Sequence, residues 1–385
     1  MPASDPVLNI LHIGKYHPPV QGGIERFLED LSREQARLGH TVRILAHRWP
    51  ALSRSREYES HGVLVRETSI LCRAVHTPLS PAFPLALRRA VHTTRPHVIH
   101  AHLPNVSALW AIPPARAIPL LVHWHADAAS ARGDRKLSLL MPLYRVFEKR
   151  LLRRARAIIA TSPQALEASR SLAPHKNKCS VIPLGLDPDR LAHPAPAPDS
   201  GPPLVLAVGR FAYYKGFEHL IRAAAMVPQA RFTIAGNGPG LSRARNLVRS
   251  LGLENRVSLP GPVDDPTLAR LLAECALFCL PSVERTEAFG LALLEAMAHK
   301  KPLLTTNIPG SGVACVNIHN QTGLCVPPAD SEALARAMTN LLENTETRQT
   351  LGLAARERFK EKFHIRSTAL AIDSLYQELQ QCPAS

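Results

Sequence analysis

Two glutamates separated by seven residues, Glu287 and Glu295, bracket the start of an apolar run in the segment Pro281–Met297. The pattern reads as the end of a buried strand at Leu280, a polar loop to Gly290, and then a helix. Unbonded amides near Gly290 and Leu291 at such a helix start could hold phosphate. A carboxylate on either flank could then take hydroxyls of two different sugars. Glu287 alone would also fit as an acidic residue facing a helix dipole. Glu295 is harder to explain so simply, because a glutamate inside an apolar helix is seldom buried without a partner.

The cations such a ligand would need lie upstream. Val208-Gly209-Arg210 ends an apolar strand-like run and Lys215-Gly216 follows five residues later. An arginine fork and a lysine point charge at a strand's carboxyl end suit a diphosphate, and a solvated turn is the plain alternative. Gln21-Gly22-Gly23-Ile24 opens the first helix, where paired glycines admit close backbone approach. Gly236-Asn237-Gly238-Pro239-Gly240 is another strand-to-helix turn, but Leu241 occupies the place where a dinucleotide fingerprint needs glycine. The missing glycine fingerprint disfavours a nicotinamide-dependent enzyme, and a GxxxxGK[ST] phosphate loop is also missing.

The elements that must position these residues repeat along the chain. Residues 8–13, 41–45, 63–65, 97–100, 119–122 and 157–160 read as strands. Residues 24–38 form an amphipathic helix closed by Gly39. The alternation stops at the proline-rich 192–203 stretch and restarts with strands at 204–208, 231–235, 257–259, 276–280, 302–306 and 323–326. Helices are expected at 291–299, 331–342 and 363–381. This pattern predicts an α/β protein with two doubly wound domains of similar size. The expected boundaries are a first domain at 1–185, a linker at 186–203, a second domain at 204–364, and a terminal helix at 365–385.

With 385 residues, 45% of them hydrophobic, the chain can fill two cores, which excludes a disordered or disulfide-stapled protein. The apolar stretch 103–124 is broken by prolines and Arg116, so a membrane span is not expected, nor is a signal peptide at 1–8. Seven scattered cysteines suit a reducing cytoplasm, and Cys275-x3-Cys279 lacks the histidines of a zinc site. The net charge of +15 is uneven, with 27 basic and 15 acidic residues before position 201. A nucleic-acid partner is not expected, because aromatics are only 5% and do not interleave with the cations. The helix 145–156 carries Arg150, Arg153 and Arg154, and points instead to an anionic membrane surface.

Taken in order, these motifs resemble the retaining family-four glycosyltransferases of the GT-B fold. The parts are Gly22-Gly23 with Glu25, Val122-His123-Trp124-His125-Ala126-Asp127, Ala157–Pro163, and Ile182–Asp187. Gly209-Arg210 with Lys215-Gly216, Gly236–Pro239, and Glu287-x7-Glu295 complete the set. The segments Pro309–Val313, Val316-Asn317 and Thr322–Pro328 resemble the branch that builds bacterial surface polysaccharides, including O-antigen mannosyl- and rhamnosyltransferases. Pro309–Cys315 departs from the threonine-rich loop of that branch, so the donor is left open.

The resemblance implies two Rossmann-like domains facing across a cleft, with the C-terminal helix returning to the first. It implies that Arg210 and Lys215 neutralise a donor diphosphate with backbone help from Gly22, Gly23 and Gly236. Glu295 would hold the ribose and Glu287 the transferred sugar, with amides of Phe289, Gly290 and Leu291 nearby. His125, and less directly Asp127, would serve the acceptor side. His123 is expected on the opposite strand face from His125. No cofactor or metal is expected, since Asp187-Pro188-Asp189 falls in the hinge. The implied reaction moves a hexose from a GDP- or UDP-sugar to a glycan or lipid-linked acceptor, in the cytoplasm at the inner membrane face. A nucleotide-sugar epimerase or phosphorylase on the same fold is the alternative.

Overall fold

The computed structural model describes residues 6–20, 22–74, 77–128, 135–191 and 201–381. Gln21, Arg132, Cys382 and the 192–200 part of the proline-rich stretch lie outside the described residues. The chain divides into two compact units, residues 1–185 with 365–385, and residues 186–364.

The first unit runs β1 (Asn9–Ile13), α1 (Gly23–Arg37), β2 (Thr41–His47), β3 (Arg56–Ser60), β4 (Val63–Thr68), β5 (Cys72–Ala74) and β6 (Thr77–Leu79). It continues with α2 (Phe83–Thr94), β7 (Val98–Leu103), β8 (Leu120–Trp124), α3 (Arg135–Arg154), β9 (Ala157–Ala160), α4 (Pro163–Ala168) and β10 (Cys179–Val181). Its sheet has eight strands in the order β10-β9-β8-β7-β1-β2-β4-β3, parallel except where β3 pairs with β4. A parallel sheet is covered on both faces, which is why β7, β8 and β9 are buried at every residue. On one face Leu11, Ile13, Ile99, Ala101, Leu103, Val122 and Trp124 join an apolar core with Phe83 and Leu87 of α2 and Leu151 and Leu152 of α3.

The second unit runs β11 (Leu204–Val208), α5 (Phe217–Ala225), β12 (Arg231–Ala235), α6 (Leu241–Ser250), β13 (Val257–Gly261), α7 (Asp265–Glu274) and β14 (Leu277–Leu280). Then come α8 (Leu291–Ala298), β15 (Leu303–Thr306), α9 (Val313–Val316), β16 (Gly323–Val326), α10 (Ser331–Glu343) and α11 (Thr345–Lys362). Six parallel strands lie in the order β13-β12-β11-β14-β15-β16. The order reverses between β11 and β14, and such a switch point opens a crevice at the strands' carboxyl ends. The loops leaving those two strands carry Arg210, Lys215 and Glu287.

The last helix, α12 (Ile365–Gln381), belongs to the first unit. Thr368 Oγ1 donates to the Pro183 carbonyl (3.1 Å), His40 Nε2 meets Asp373 Oδ2 (2.7 Å), and Gln380 Nε2 donates to the His97 carbonyl (2.7 Å). Gly185 is required here, because a Cβ would lie 2.8 Å from the Ile365 Cα.

Candidate active site

The β14–α8 loop begins at Pro281 and ends at Gly290, which caps α8 in the left-handed conformation (φ 83°) with no side-chain cap. The first-turn amides of α8 thus keep no side-chain acceptor at the cap. Within the loop the Glu287 carboxylate accepts from Ser282 Oγ (2.9 Å) and pairs with Lys215 Nζ (2.5 Å). Ser311 Oγ donates to the Glu287 carbonyl, Thr306 Oγ1 donates to the Ser282 carbonyl, and Gly312 N donates to the Ala288 carbonyl (2.8 Å). Glu287 is therefore held by its backbone and by its carboxylate. Burial pulls the Lys215 ammonium down, but the adjacent Glu287 carboxylate, with Tyr214 and Glu295, more than offsets it and keeps Lys215 above its ordinary value.

The β11–α5 loop is stitched to the same place. Val283 N donates to the Tyr214 carbonyl (2.7 Å), and a Cβ on Gly216 (φ 63°) would fall 2.1 Å from the Pro281 carbonyl oxygen. Only glycine permits that approach. Arg210 is exposed and forms no ion pair among the described residues. Gly236 has a packing reason to lack a side chain, since its Cβ would meet the Gly209 carbonyl oxygen at 1.9 Å. Phe289 turns its ring into the core against Phe363 (centroids 6.0 Å), leaving only its backbone for a ligand.

Glu295 sits on α8 one turn beyond Leu291 and is buried. Its carboxylate accepts from Arg190 Nη2 at 3.3 Å, both side chains about one-tenth exposed or less. Arg190 ends a short 3-10 turn, Pro188–Arg190, capped by Asp187 Oδ1 accepting from Asp189 N (3.0 Å). Asp187 thus shapes the turn that aims Arg190.

In the first unit the striplike alternation of β7 and β8 has a polar side. His12 of β1 lies in register with His100, and His102 with His123. The four rings, with His125 just past β8, share the face covered by Phe27 and Gln35 of α1 and Tyr376 of α12. His123 and His125 stack with centroids 4.3 Å apart and 4° between planes, so they point the same way. This corrects the expectation of opposite faces: residues i and i+2 of a strand share a face. Burial drives all five rings neutral, His12 to about 4, His125 to about 3, and His100, His102 and His123 well below 6.5.

Residues 189–358 match the family described as Glycosyl transferases group 1, and residues 21–190 match Glycosyltransferase Family 4. The O-antigen chain mannosyltransferase C of Escherichia coli is 32% identical over 385 residues, covering 97% of this chain and 99% of that protein. The chain belongs to the family-four glycosyltransferases. The D-rhamnosyltransferase WbpZ of Pseudomonas aeruginosa is 34% identical over 64% of this chain and 64% of its own length. Among solved structures, the sucrose-phosphate synthase of Thermosynechococcus elongatus superposes with a TM-score of 0.78 at 24% identity, covering 96% of this chain and 98% of that one. HepE of Anabaena, solved with UDP and glucose, gives 0.76 at 21% identity, covering 96% and 99%. These likenesses establish the GT-B fold.

In this glycosyltransferase the second unit brings Lys215, Glu287, Gly290 and Leu291 together at the switch point, with Glu295 further along the same helix. Arg190 was not expected from the sequence, and a lone arginine after a Pro-Asp turn carries no signal of a partner 105 residues away. In the first unit Gly22 lies under the Glu25 carboxylate, whose Oε2 a Cβ would meet at 2.0 Å, and burial raises Glu25 above its ordinary value. Gly23 begins α1. Asp127 Oδ1 accepts from Trp124 Nε1 (3.1 Å) and Ser169 Oγ (2.6 Å), which fixes the backbone just after His125. Arg150, Arg153 and Arg154 are exposed, and the Arg154 guanidinium also donates to the Ala115 carbonyl (2.5 Å).

Nitrogens of His12, His100 and His102, and of His102, His123 and His125, cluster within 4.8 Å. The second trio is a near-parallel stack, and lone pairs lying in parallel ring planes do not converge on one ion. In the first trio, His12 Nδ1 and His102 Nε2 bond each other and His100 Nδ1 bonds the Tyr376 hydroxyl, while His100 Nε2 has no hydrogen-bond partner among the described residues. Cys275 and Cys279 are free buried thiols, with Cys275 pushed up to about 12 by burial. Among the described residues no helix is long and apolar enough to cross a membrane.

Proposed function

We propose that this glycosyltransferase moves a hexose, with retention, from a GDP- or UDP-sugar to a glycan or lipid-linked acceptor of a bacterial surface polysaccharide. The observation that carries the donor reading is the Lys215–Glu287 pair beside the side-chain-free N-terminus of α8. A cation and helix amides held at one place suit the negative charge that builds on a leaving diphosphate. Arg210 adds an exposed second cation from the adjoining loop, and Glu295, aimed by Arg190, suits a ribose. Residues 204–364 are the donor domain in this reading, and residues 1–185 with the returning 365–385 helix are the acceptor domain. The acceptor reading is supported by the names of the O-antigen mannosyltransferase and the rhamnosyltransferase relatives.

Glu287 is tied to Lys215 and Ser282, which suits orienting sugar hydroxyls better than attacking the anomeric carbon. The reaction then follows a front-face course in which the leaving phosphate takes the acceptor proton. His125, a weak base at a pKa of about 3, orients a hydroxyl and does not deprotonate it. No metal enters this scheme.

A peripheral membrane position is supported by α3, where exposed Leu143, Val146 and Phe147 are followed along the same helix by Arg150, three and four residues beyond Phe147 and Val146, and then by Arg153 and Arg154. Apolar and cationic groups on one helix face suit an anionic bilayer interface. The catalytic reading is tested by a transfer assay across GDP- and UDP-sugars, with the product's mass and anomeric configuration as readouts.

A further inference from the structure

The buried histidines form a continuous hydrogen-bond chain. His125 Nε2 lies 2.9 Å from His102 Nδ1, His102 Nε2 lies 3.0 Å from His12 Nδ1, and His12 Nε2 lies 2.8 Å from Gln35 Oε1. The chain ends at the Gln35 amide, whose Nε2 donates to the Tyr376 hydroxyl (3.3 Å), with His100 Nδ1 at 2.6 Å on its other side. Gln35 and Tyr376 are fully buried, and water does not compete.

The amide gives this chain a direction. A neutral imidazole has one N–H and one bare nitrogen. Gln35 Oε1 can only accept, so His12 carries its hydrogen on Nε2 and leaves Nδ1 bare. His102 must then donate from Nε2, and His125 must donate from Nε2 to His102 Nδ1. What remains at the far end is the bare Nδ1 of His125, which has no partner among the described residues in a ring 4% exposed. Reversing the Gln35 amide would reverse every bond and put a hydrogen on that nitrogen instead.

We propose that Gln35, His12 and His102 are positioning residues that fix the tautomer of His125, so that its Nδ1 is a hydrogen-bond acceptor selective for a hydroxyl. This rests on the reading of His125 as a contact for a sugar or acceptor hydroxyl. The chemical class follows from the bare lone pair. A hydroxyl hydrogen satisfies it, whereas an ether, carbonyl or phosphate oxygen brought to the same place faces two opposed lone pairs. Gln35 thereby acts on ligand choice from a helix away, without touching the ligand.

Tautomers are directly observable. The full chain labelled with [15N]histidine, in long-range proton–nitrogen correlation spectra at pH 7, should show His12, His102 and His125 all with protonated Nε2 and bare Nδ1. His125 found with a protonated Nδ1, or as an imidazolium, overturns the proposal. Gln35→Met should release His125 into a mixture of tautomers and lower kcat/KM about tenfold, while Gln35→Glu, which keeps an acceptor oxygen, should retain both tautomer and activity. Loss of activity in Gln35→Met with an unchanged His125 tautomer also overturns it. If Gln35→Met fails to fold, the wild-type spectrum alone decides. His125→Ala separates the two ideas: full transfer activity with the expected wild-type tautomers removes His125 from the reaction and with it the selective role.

Discussion

Lys215 and Glu287 sit on loops leaving adjacent strands, β11 and β14, and their charged atoms meet at 2.5 Å. Neither side chain is more than about one-tenth exposed, so each is the other's main compensation for leaving water. The sheet order makes this meeting possible, because β11 and β14 are neighbours only through the chain reversal.

Removing either partner should therefore do two things. Lys215→Ala should lower kcat/KM by about 10² to 10³, as expected for loss of a preorganised charge. It should also destabilise the unit by about 3 kcal/mol, because a buried carboxylate loses its cation. The double variant Lys215→Ala/Glu287→Ala should regain part of that stability and none of the activity. Denaturant unfolding alongside transfer kinetics checks both.

Arg190 should matter for the nucleotide and little for the chemistry. Arg190→Ala leaves Glu295 on α8 without the 3.3 Å contact that aims it. The expected result is a donor KM raised about tenfold, the size of one charge-assisted bond, with kcat changed less than threefold. An equal fall in kcat at unchanged KM would move Arg190 into the reacting centre.

The buried histidines of the first unit make a pH prediction with a definite sign. His12 and His47 are lowered from 6.5 to about 4 and His125 to about 3, all mainly by burial. Between pH 6.5 and about 4 the unfolded chain takes up protons that the folded unit refuses. Stability is thus full above pH 6.5 and falls as the pH drops through this window. Glu25 and Glu148, raised by burial, act in the opposite direction but are outnumbered. His123 bonds through neither nitrogen, so His123→Phe should be neutral or stabilising at pH 7 and should flatten the acid slope. Thermal unfolding between pH 7.5 and 4.5 measures it.

Binding to vesicles rich in anionic lipid should fall with salt and with Arg150→Glu/Arg153→Glu. Replacing Val146 and Phe147 by serine should weaken the salt-resistant part. Arg154 is a poorer choice because its guanidinium holds the Ala115 carbonyl, and its loss would disturb the fold locally. Co-sedimentation unchanged by the paired reversal would remove α3 from the contact.

Much of this fold was legible because buried parallel strands are written as short apolar runs, and all twelve expected strands occur. The strands that escaped carry no such run: Arg56–Ser60 is polar at nearly every position, and the 72–74, 77–79 and 179–181 strands have three residues each. Helix α11 escaped for a related reason, since Thr345–Lys362 is dominated by charged and polar residues and shows no clear apolar stripe. Lys215, Glu287 and Glu295 stood out because each lies in a compact local pattern. Arg190 did not, because its partner is distant in sequence, and the histidine relay did not, because it depends on register: His123-x-His125 was visible, but nothing local says that β7 and β8 are neighbours.

The proposed reaction transfers a sugar from a nucleotide diphosphate with the Lys215–Glu287 site as its charge centre. The most direct measurement incubates the purified chain with a panel of GDP- and UDP-hexoses and a lipid-linked or glycan acceptor, and follows the product by mass and by NMR of the new anomeric proton. The expected result is one nucleoside diphosphate released per glycoside formed, with the donor's anomeric configuration kept and formation nearly abolished in Lys215→Ala. Donor consumed without any acceptor, an inverted linkage, or a Lys215→Ala enzyme as active as the wild type would contradict it.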